Sequence, residues 1–317
     1  MKTRNTSIKK QLVIFFLITY GVNFLLGIPL NMAEYIDFST FALFMMLLPA
    51  TGVAFASLTK SKADDEDRVI HYIYIGYFSF YLFVIILRLT GIISKEMASP
   101  IVLFVYQFIS IGLLLYTWQR RQTSALYPFI NGKSAKKIII AFVLYCTVSD
   151  LLALLIYKGN LLTYIIELPL ALGFFTECIF TFGEEYGWRG FLQEKMQRKF
   201  GKRMGVILLG LIWELWHMPL WFTEYDLTWS EVFLRFLTTP SLAVFLGYVY
   251  MKTKNVWTCA FLHFLFNLTA MAGSDALEHV NCTHAQAQIA NLFIHFSRFA
   301  FIVFIFAKEY RKDEDYG

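Results

Sequence analysis

Charged residues are scarce in this chain. Asp, Glu, Lys and Arg make up 16% of its 317 residues, whereas a soluble domain carries about 25%. Hydrophobic residues make up 57%, and the mean hydropathy is +0.54. This composition excludes an ordinary soluble domain and predicts a polytopic protein whose partner is the membrane lipid bilayer. The net charge of +5 fits membrane topology better than nucleic-acid binding, so we expect no nucleic-acid partner.

Cysteine is also rare, with four residues and no CxxC spacing. Three of them lie in apolar stretches, where a buried and inert thiol is the usual state. The pattern therefore excludes a disulfide framework. Internal repeats and low-complexity linkers are absent as well, which argues against a transporter built from two related halves. The four cysteines are Cys146, Cys178, Cys259 and Cys282.

Long apolar runs, in contrast, are abundant. The first, from Leu12 to Leu30, is too long for a signal peptide and has no small-residue cleavage site after it, so we expect a retained span. Each of ten runs is near the roughly 20 residues that a spanning helix requires. The predicted fold is therefore all-α, a polytopic transmembrane helix bundle. The predicted spans are 12–30, 38–58, 69–93, 100–118, 137–156, 170–192, 205–222, 232–251, 256–273 and 289–307.

The distribution of basic residues predicts the orientation. Lysine and arginine favour cytoplasmic loops, and most of the 28 in this chain fall in alternate connecting segments that include both termini. We therefore expect the N- and C-termini to be cytoplasmic. The segments on the other side carry acidic residues instead, such as Glu34, Asp37, Glu224 and Asp226. A boundary near residue 157 separates N-terminal helices, 1–156, from a C-terminal bundle, 157–317, that holds the unusual polar residues.

The stretch from Gly183 to Gly190 places two adjacent carboxylates and an arginine in the sixth apolar run. Ionised groups at membrane depth are costly and by default suggest function. Glu185 and Arg189 are four residues apart and can pair on one helix face, while Glu184 is displaced by about 100°. Pro169 suggests that this helix begins after Leu168. The alternative is a structural salt-bridge cluster at the cytoplasmic end of the helix.

Two further polar pairs follow at helical spacing. Trp213 precedes His217 by four residues, and Glu214 is a candidate partner that orients this histidine. His263 and Asn267 share a helix face and can donate to one acceptor, as an oxyanion hole requires. Hydrogen bonds between helices would also explain both pairs.

For two arginines in apolar runs, a structural role is the main interpretation. Arg235 lies near the end of its predicted span, where its side chain can reach the interface. Arg298 lies in the middle of the tenth span and needs a partner, for which Glu177 and Glu167 are candidates.

These motifs, taken in order, resemble a known family. Glu184-Glu185-x-x-x-Arg189, an aromatic residue ahead of His217, and His263-x-x-x-Asn267 are similar to the three motifs of the CAAX-protease and bacteriocin-processing (CPBP) intramembrane endopeptidases. The resemblance covers about residues 170–270. Trp213 departs from it, because the family more often has phenylalanine there.

The resemblance implies a function and a role for each motif residue. Glu184 and His217 would activate water, His263 and Asn267 would stabilise the oxyanion, and Glu185, Arg189 and Trp213 would support them. It implies a glutamate-type peptidase without an obligatory cofactor. One glutamate and two histidines are also a ligand set for catalytic zinc, so zinc at Glu184, His217 and His263 is the alternative.

The expected substrate is a membrane-associated peptide, either a prenylated CAAX-type protein or a leader or signalling peptide. The expected location is the bacterial plasma membrane, with the active site open towards the cytoplasm. The alternative function is a non-catalytic membrane protein, namely a bacteriocin self-immunity protein or scaffold, or a transporter.

Overall fold

The structure is a computed structural model, and it describes most of the chain as helices. Within the described residues there is no β-strand. The prediction of an all-α polytopic bundle is therefore confirmed. The described residues are 2–32, 38–59, 68–119, 126–128, 131–157, 159–221, 227–278 and 284–311.

Helices α1 to α6 form the N-terminal part of the chain. The first two are joined by a π-helical segment, Leu17–Val22, and are continuous with it. The bounds are α1 Lys2–Phe16, α2 Asn23–Met32, α3 Phe38–Ser57, α4 Arg68–Leu89, α5 Lys95–Trp118 and α6 Gly132–Tyr157.

Helices α7 to α15 form the C-terminal part. Three segments of different winding interrupt them: 3₁₀-helical Leu168–Gly173, π-helical Tyr186–Gln193 and 3₁₀-helical Ala300–Phe306. The bounds are α7 Leu161–Glu167, α8 Phe174–Glu185, α9 Glu194–Phe200, α10 Lys202–Trp216, α11 Met218–Trp221, α12 Trp229–Thr253, α13 Val256–Glu278, α14 His284–Phe299 and α15 Lys308–Arg311.

Among the described residues, six helices are long and apolar enough to cross a membrane, and three shorter ones are apolar. These features mark an integral membrane protein, and every predicted span but one coincides with one of these nine helices. The exception is the predicted span 205–222. Helix α10 has 15 residues and ends at Trp216. At 1.5 Å per residue it is about 22 Å long, shorter than the roughly 30 Å hydrocarbon core.

The prediction that the sixth span begins after Leu168 is wrong. The apolar helix runs for 40 residues from Leu161 to Phe200. Its N-cap is Asn160, whose side chain accepts hydrogen bonds from the backbone N–H groups of Leu162 and Thr163. Pro169 lies in the 3₁₀-helical segment, whose altered winding accommodates a residue without an N–H group.

The N-terminal helices pack directly on the helix that carries the two glutamates. A Cβ atom on Gly187 would lie 2.5 Å from Cβ of Pro49 in α3, so only glycine permits this approach. The Tyr74 hydroxyl of α4 donates to the Ile179 carbonyl at 2.7 Å. Residues 1–156 therefore help to position α8, and the division near residue 157 stays a prediction about organisation.

Part of the topology prediction falls outside the described residues. Glu34, Asp37, Glu224 and Asp226, which were predicted to face the outer side, belong to that part, and so does Cys282. The cytoplasmic location of both termini stays a prediction based on charge.

Candidate active site

Glu184 and Glu185 are the last two residues of α8 and are 2% and 0% exposed. Arg189 follows in the π-helical turn, and its Nε lies 3.1 Å from Glu185 Oε2. The predicted intrahelical ion pair is therefore present, although its atoms lack the alignment of a hydrogen bond. The guanidinium also lies 4.9 Å from the centroid of the Trp213 ring.

Glu184 faces a different neighbour from Glu185. Its Oε2 accepts a hydrogen bond of 3.0 Å from Nε1 of Trp213 in α10. Two consecutive carboxylates are thus held by different helices, as their angular separation on the helix predicts. The indole orients Glu184 without neutralising its charge.

His217 immediately follows α10, and its ring is fixed by the backbone. Its Nδ1 lies 3.0 Å from the Trp213 carbonyl oxygen. Because a carbonyl only accepts, Nδ1 must carry the proton, and Nε2 of the neutral ring is left as an acceptor. Glu214, the candidate partner from the sequence, lies close, with its Oε2 3.9 Å from Nδ1, but this distance is too long for a hydrogen bond.

Residues at the junction of α1 and α2 bind the C-terminal end of α10. The sequence pattern did not predict this contact. Asn23 Nδ2 donates to the Trp216 carbonyl at 2.7 Å, and the Tyr20 hydroxyl donates to the Ile212 carbonyl. The bond to Trp216 satisfies one of the carbonyl groups that a helix end leaves free. The two bonds fix the turn on which His217 lies.

His263, in α13, contacts Glu185. Its Nδ1 lies 3.1 Å from Glu185 Oε1, so Nδ1 carries a proton here as well. Glu185 therefore contacts both Arg189 and His263, and it links α8 to α13. Sequence spacing gave no sign of this contact, since the two residues are 78 positions apart.

One cavity brings the motif residues together. Its volume is about 640 Å³, and Glu184, Trp213, His217, His263 and Asn267 all line it. Asn267 is exposed, while His263 is 4% exposed. Glu185 and Arg189 are not among the described residues that line the cavity. This arrangement fits a support role for the pair and a chemical role for Glu184.

A second buried carboxylate supports the wall formed by α10 and α12. Glu214 accepts from Arg235 Nε at 2.6 Å, from Thr239 Oγ1 at 2.5 Å and from Trp221 Nε1 at 3.0 Å. Arg235 and Thr239 also line the cavity. The reading of Arg235 as an interfacial side chain is therefore wrong, because it faces inward and has a buried counter-ion.

The zinc alternative requires Glu184, His217 and His263 to converge. Among the described residues, no group of three or more His, Cys, Asp and Glu side chains is arranged to hold a metal ion. The geometry of Glu184, His217 and His263 therefore does not favour zinc binding.

Comparison with known proteins links this region to one family. Residues 166–269 match the family model described as Type II CAAX prenyl endopeptidase Rce1-like. A curated protein named CAAX prenyl protease 2, from Methanococcus maripaludis, is 29% identical over 93 residues. That alignment covers 27% of this chain and 34% of the relative, so the chain matches about a third of that protein's length. No solved structure matches.

These matches confirm the predicted resemblance for the segment that contains all three motifs. They associate residues 166–269 with CAAX-type proteases. Helices α1 to α6 and α14, which the structure packs around that segment, lie outside the match.

Proposed function

We propose that this protein is an intramembrane endopeptidase of the CAAX-protease type, because residues 166–269 match that family and the motif side chains share one cavity. The observation that carries the proposal is the arrangement around Trp213. Its indole N–H is bonded to Glu184, and its carbonyl accepts from His217. One residue thus orients a carboxylate and an imidazole towards the same space.

Glu184 and His217 activate water in this mechanism. Both have an acceptor atom available, one on the carboxylate and the other at His217 Nε2. A water molecule between them loses a proton to one of these groups as its oxygen attacks the peptide carbonyl carbon. The same proton then passes to the leaving amine, as general acid–base catalysis requires.

His263 and Asn267 stabilise the tetrahedral oxyanion. The Asn267 amide donates directly. Because His263 Nδ1 is bonded to Glu185, only Nε2 remains to donate to the oxyanion, and a donor at Nε2 requires the doubly protonated ring. Glu185, which lies behind the cavity wall and accepts from Nδ1, holds the ring so that Nε2 is left for the oxyanion.

The substrate is a membrane-associated peptide. A prenylated CAAX-type protein is one candidate, and a leader or signalling peptide is the other. The apolar helices place the cavity in an integral membrane protein, and the basic segments favour an opening towards the cytoplasmic side of a bacterial plasma membrane.

The test compares peptide termini in host membranes and medium for the wild type and Glu184→Gln at equal expression. Loss of the base should reduce formation of a defined product by about 100- to 10,000-fold. Glu177→Gln is the matched control, because it changes a carboxylate of the same helix that is not among the cavity-lining residues.

A zinc chelator added to the wild type separates the two chemistries. The metal-free mechanism predicts an unchanged product, while a zinc peptidase would lose it. If Glu184→Gln left every terminus unchanged, the peptidase proposal would be contradicted and a non-catalytic scaffold favoured.

A further inference from the structure

A second cavity lies between α6, α12 and the 3₁₀-helical segment Ala300–Phe306. Residues within 137–145, 245–248 and 300–304 line it, and none of the motif residues does. Its volume is about 470 Å³, within the roughly 300–1,000 Å³ range of ligand pockets. Apart from Lys137, its lining side chains are apolar or aromatic, so we call it the aromatic groove. Because α6 and the 3₁₀-helical segment lie outside residues 166–269, the match to the protease family assigns no role to this groove.

Stacked phenylalanine rings form the floor of the aromatic groove. The ring centroids of Phe142, Phe245 and Phe301 are 4.8 to 5.7 Å apart, with interplanar angles of 10° to 26°. All three side chains are buried. Phe304 packs on Phe245 with a centroid distance of 5.0 Å. The floor is therefore held by its own packing, as is typical of a preformed ligand pocket.

The 3₁₀ winding makes another wall of the groove straight. In a 3₁₀-helix, side chains three residues apart lie directly in line, whereas an α-helix separates them by about 60° around its axis. Ala300 and Val303 form one such row, Phe301 and Phe304 form another, and all four line the groove. The wall therefore follows the helix axis, which suits an extended hydrocarbon chain.

The groove is open towards the surrounding lipid. Val303 is 60% exposed, Ala141 is also exposed, and both belong to apolar helices. At membrane depth the surrounding solvent is hydrocarbon, so an occupant reaches the groove from the bilayer. Lipid chains are as apolar as aliphatic side chains, so burial of apolar surface gives little preference for one lipid over another. Shape and charge must therefore select the occupant.

One end of the groove is basic. Lys137 lines it and lies in the second turn of α6, next to Lys136 and one turn after Lys133. All three lysines are exposed, and none forms an ion pair with a carboxylate of the described residues. This end therefore presents positive charge that is free to bind an anion.

The other end of the groove carries no charge. It lies at Tyr145, about 12 Å along α6 from Lys137. There the Tyr145 hydroxyl donates to the Ser297 carbonyl at 2.6 Å. The groove is thus basic at the end of α6 that is predicted to be cytoplasmic and apolar towards the middle of the membrane, which is the polarity of a lipid molecule in a leaflet.

An aromatic contact separates the groove from the cavity of the motif residues. The Phe301 ring lies 6.4 Å from the ring of Phe266, which lines that cavity. On the cavity side, the guanidinium of Arg298 lies 5.2 Å from the Phe266 centroid. Arg298 makes no ion pair with Glu177 or Glu167, the partners that the sequence suggested. Arg298 therefore belongs to the cavity, and Lys137 is the charged group that lines the groove.

We propose that the aromatic groove binds one anionic phospholipid of the surrounding bilayer, with an acyl chain on the phenylalanine rings and the headgroup phosphate at Lys137. Chain and charge together select this ligand. A free phosphate would leave the apolar walls without a partner, and a lipid without net charge would leave the lysines uncompensated. Basic pockets between spanning helices on the cytoplasmic side bind anionic headgroups in this way.

Photolabelling in a bilayer tests this site. The full chain is placed in phosphatidylcholine nanodiscs with a small fraction of phosphatidylglycerol that carries a diazirine in one acyl chain. Phosphatidylcholine with the same labelled chain is the matched probe. We expect label to concentrate on the peptides that contain Phe142 and Phe301. Labelling should be about 5-fold or more stronger with phosphatidylglycerol, the factor that one lysine near an anionic headgroup contributes, and unlabelled phosphatidylglycerol should compete.

Paired variants separate the effect of charge from that of shape. Lys137→Ala should bring the two probes close to equal labelling, while Lys137→Arg should keep the preference. Lys10→Ala should keep it too, because it removes an exposed lysine of α1 that does not line the groove. Ala141→Trp should fill the groove and remove its labelling by both probes. Val143→Trp adds the same side chain to α6 outside the groove and should leave the labelling unchanged.

Four results would overturn the proposal. Equal labelling of the groove by both probes in the wild type, or label spread evenly over the other apolar helices, would indicate ordinary annular lipid. An unchanged preference in Lys137→Ala would exclude the headgroup contact. Displacement of the probe by a farnesylated peptide or a fatty acid, but not by phosphatidylglycerol, would assign the groove to a different lipid chain. Because no measurement requires hydrolysis, each result is independent of the proposed peptidase function.

Discussion

Two glutamate–arginine pairs with fully buried carboxylates support the cavity of the motif residues, and they are built differently. Glu185 and Arg189 belong to one helix and are 3.1 Å apart, while the remaining guanidinium nitrogens have no hydrogen-bond partner among the described residues. Glu214 and Arg235 belong to α10 and α12 and are 2.6 Å apart. Thr239 and Trp221 complete the set of donors to Glu214.

The difference suggests separate roles. The bonds of Glu214 join three elements and saturate its oxygens, as stable burial of a charge requires. Glu185 has fewer aligned bonds, but one of them reaches His263 in the proposed oxyanion site. We infer that the Glu214–Arg235 pair mainly stabilises the fold, whereas the Glu185–Arg189 pair mainly positions His263.

The largest expected effect is on the Glu214 pair. Glu214→Ala leaves Arg235, whose side chain is 23% exposed, without its counter-ion, so the free energy of unfolding should fall by up to about 3–5 kcal/mol. Unfolding in detergent micelles measures this change. Glu177→Ala is the control and should cost much less, because Glu177 makes no ion pair within the described residues. Similar losses for both variants would show that the network contributes little.

Glu185→Gln should affect activity more than stability. Glutamine keeps an acceptor for His263 Nδ1 but removes the negative charge that pairs with Arg189. We expect kcat to fall about 10- to 100-fold, as for other groups that orient a catalytic ligand or side chain. An unchanged kcat with reduced stability would instead indicate a merely structural pair.

The smallest effect is expected for a third ion pair, which is partly exposed to solvent. Lys252 Nζ lies 3.0 Å from Glu309 Oε1. Lys252 is near the end of α12, and Glu309 lies in α15, outside the apolar spans. Burial raises the pKa of Glu309, but the hydrogen bond from Lys252, a backbone hydrogen bond and the charges of Lys252 and Lys308 together outweigh it, so the net pKa is lowered. The pair therefore stabilises the fold at neutral pH, and this contribution is lost as the pH falls through the lowered pKa.

Glu309→Gln should cost less than about 1 kcal/mol at pH 7 and abolish that acid dependence. Unfolding measured from pH 7 down to pH 3 gives both values. A loss as large as that of Glu214→Ala would contradict the distinction between partly exposed and fully buried carboxylates.

The spacing of residues within single helices was enough to predict some of these structural features. The four-residue separation of Glu185 and Arg189 predicted their pair, and the apolar runs predicted the helices and the all-α bundle. Spacing failed at Glu214, whose strong contacts come from α11 and α12 rather than from His217. It also failed at Pro169, where the cap at Asn160 marks an earlier helix start.

The sequence by itself determined the helices, the membrane character and the identity of the motif residues, because these depend on composition and on periodicity within one helix. Only the tertiary structure decided which neighbour each polar group has. Trp213 contacts Glu184, Glu185 contacts His263, and Arg298 lines the cavity. Such contacts join residues far apart in the chain, and helix packing, which no local pattern encodes, sets their distances.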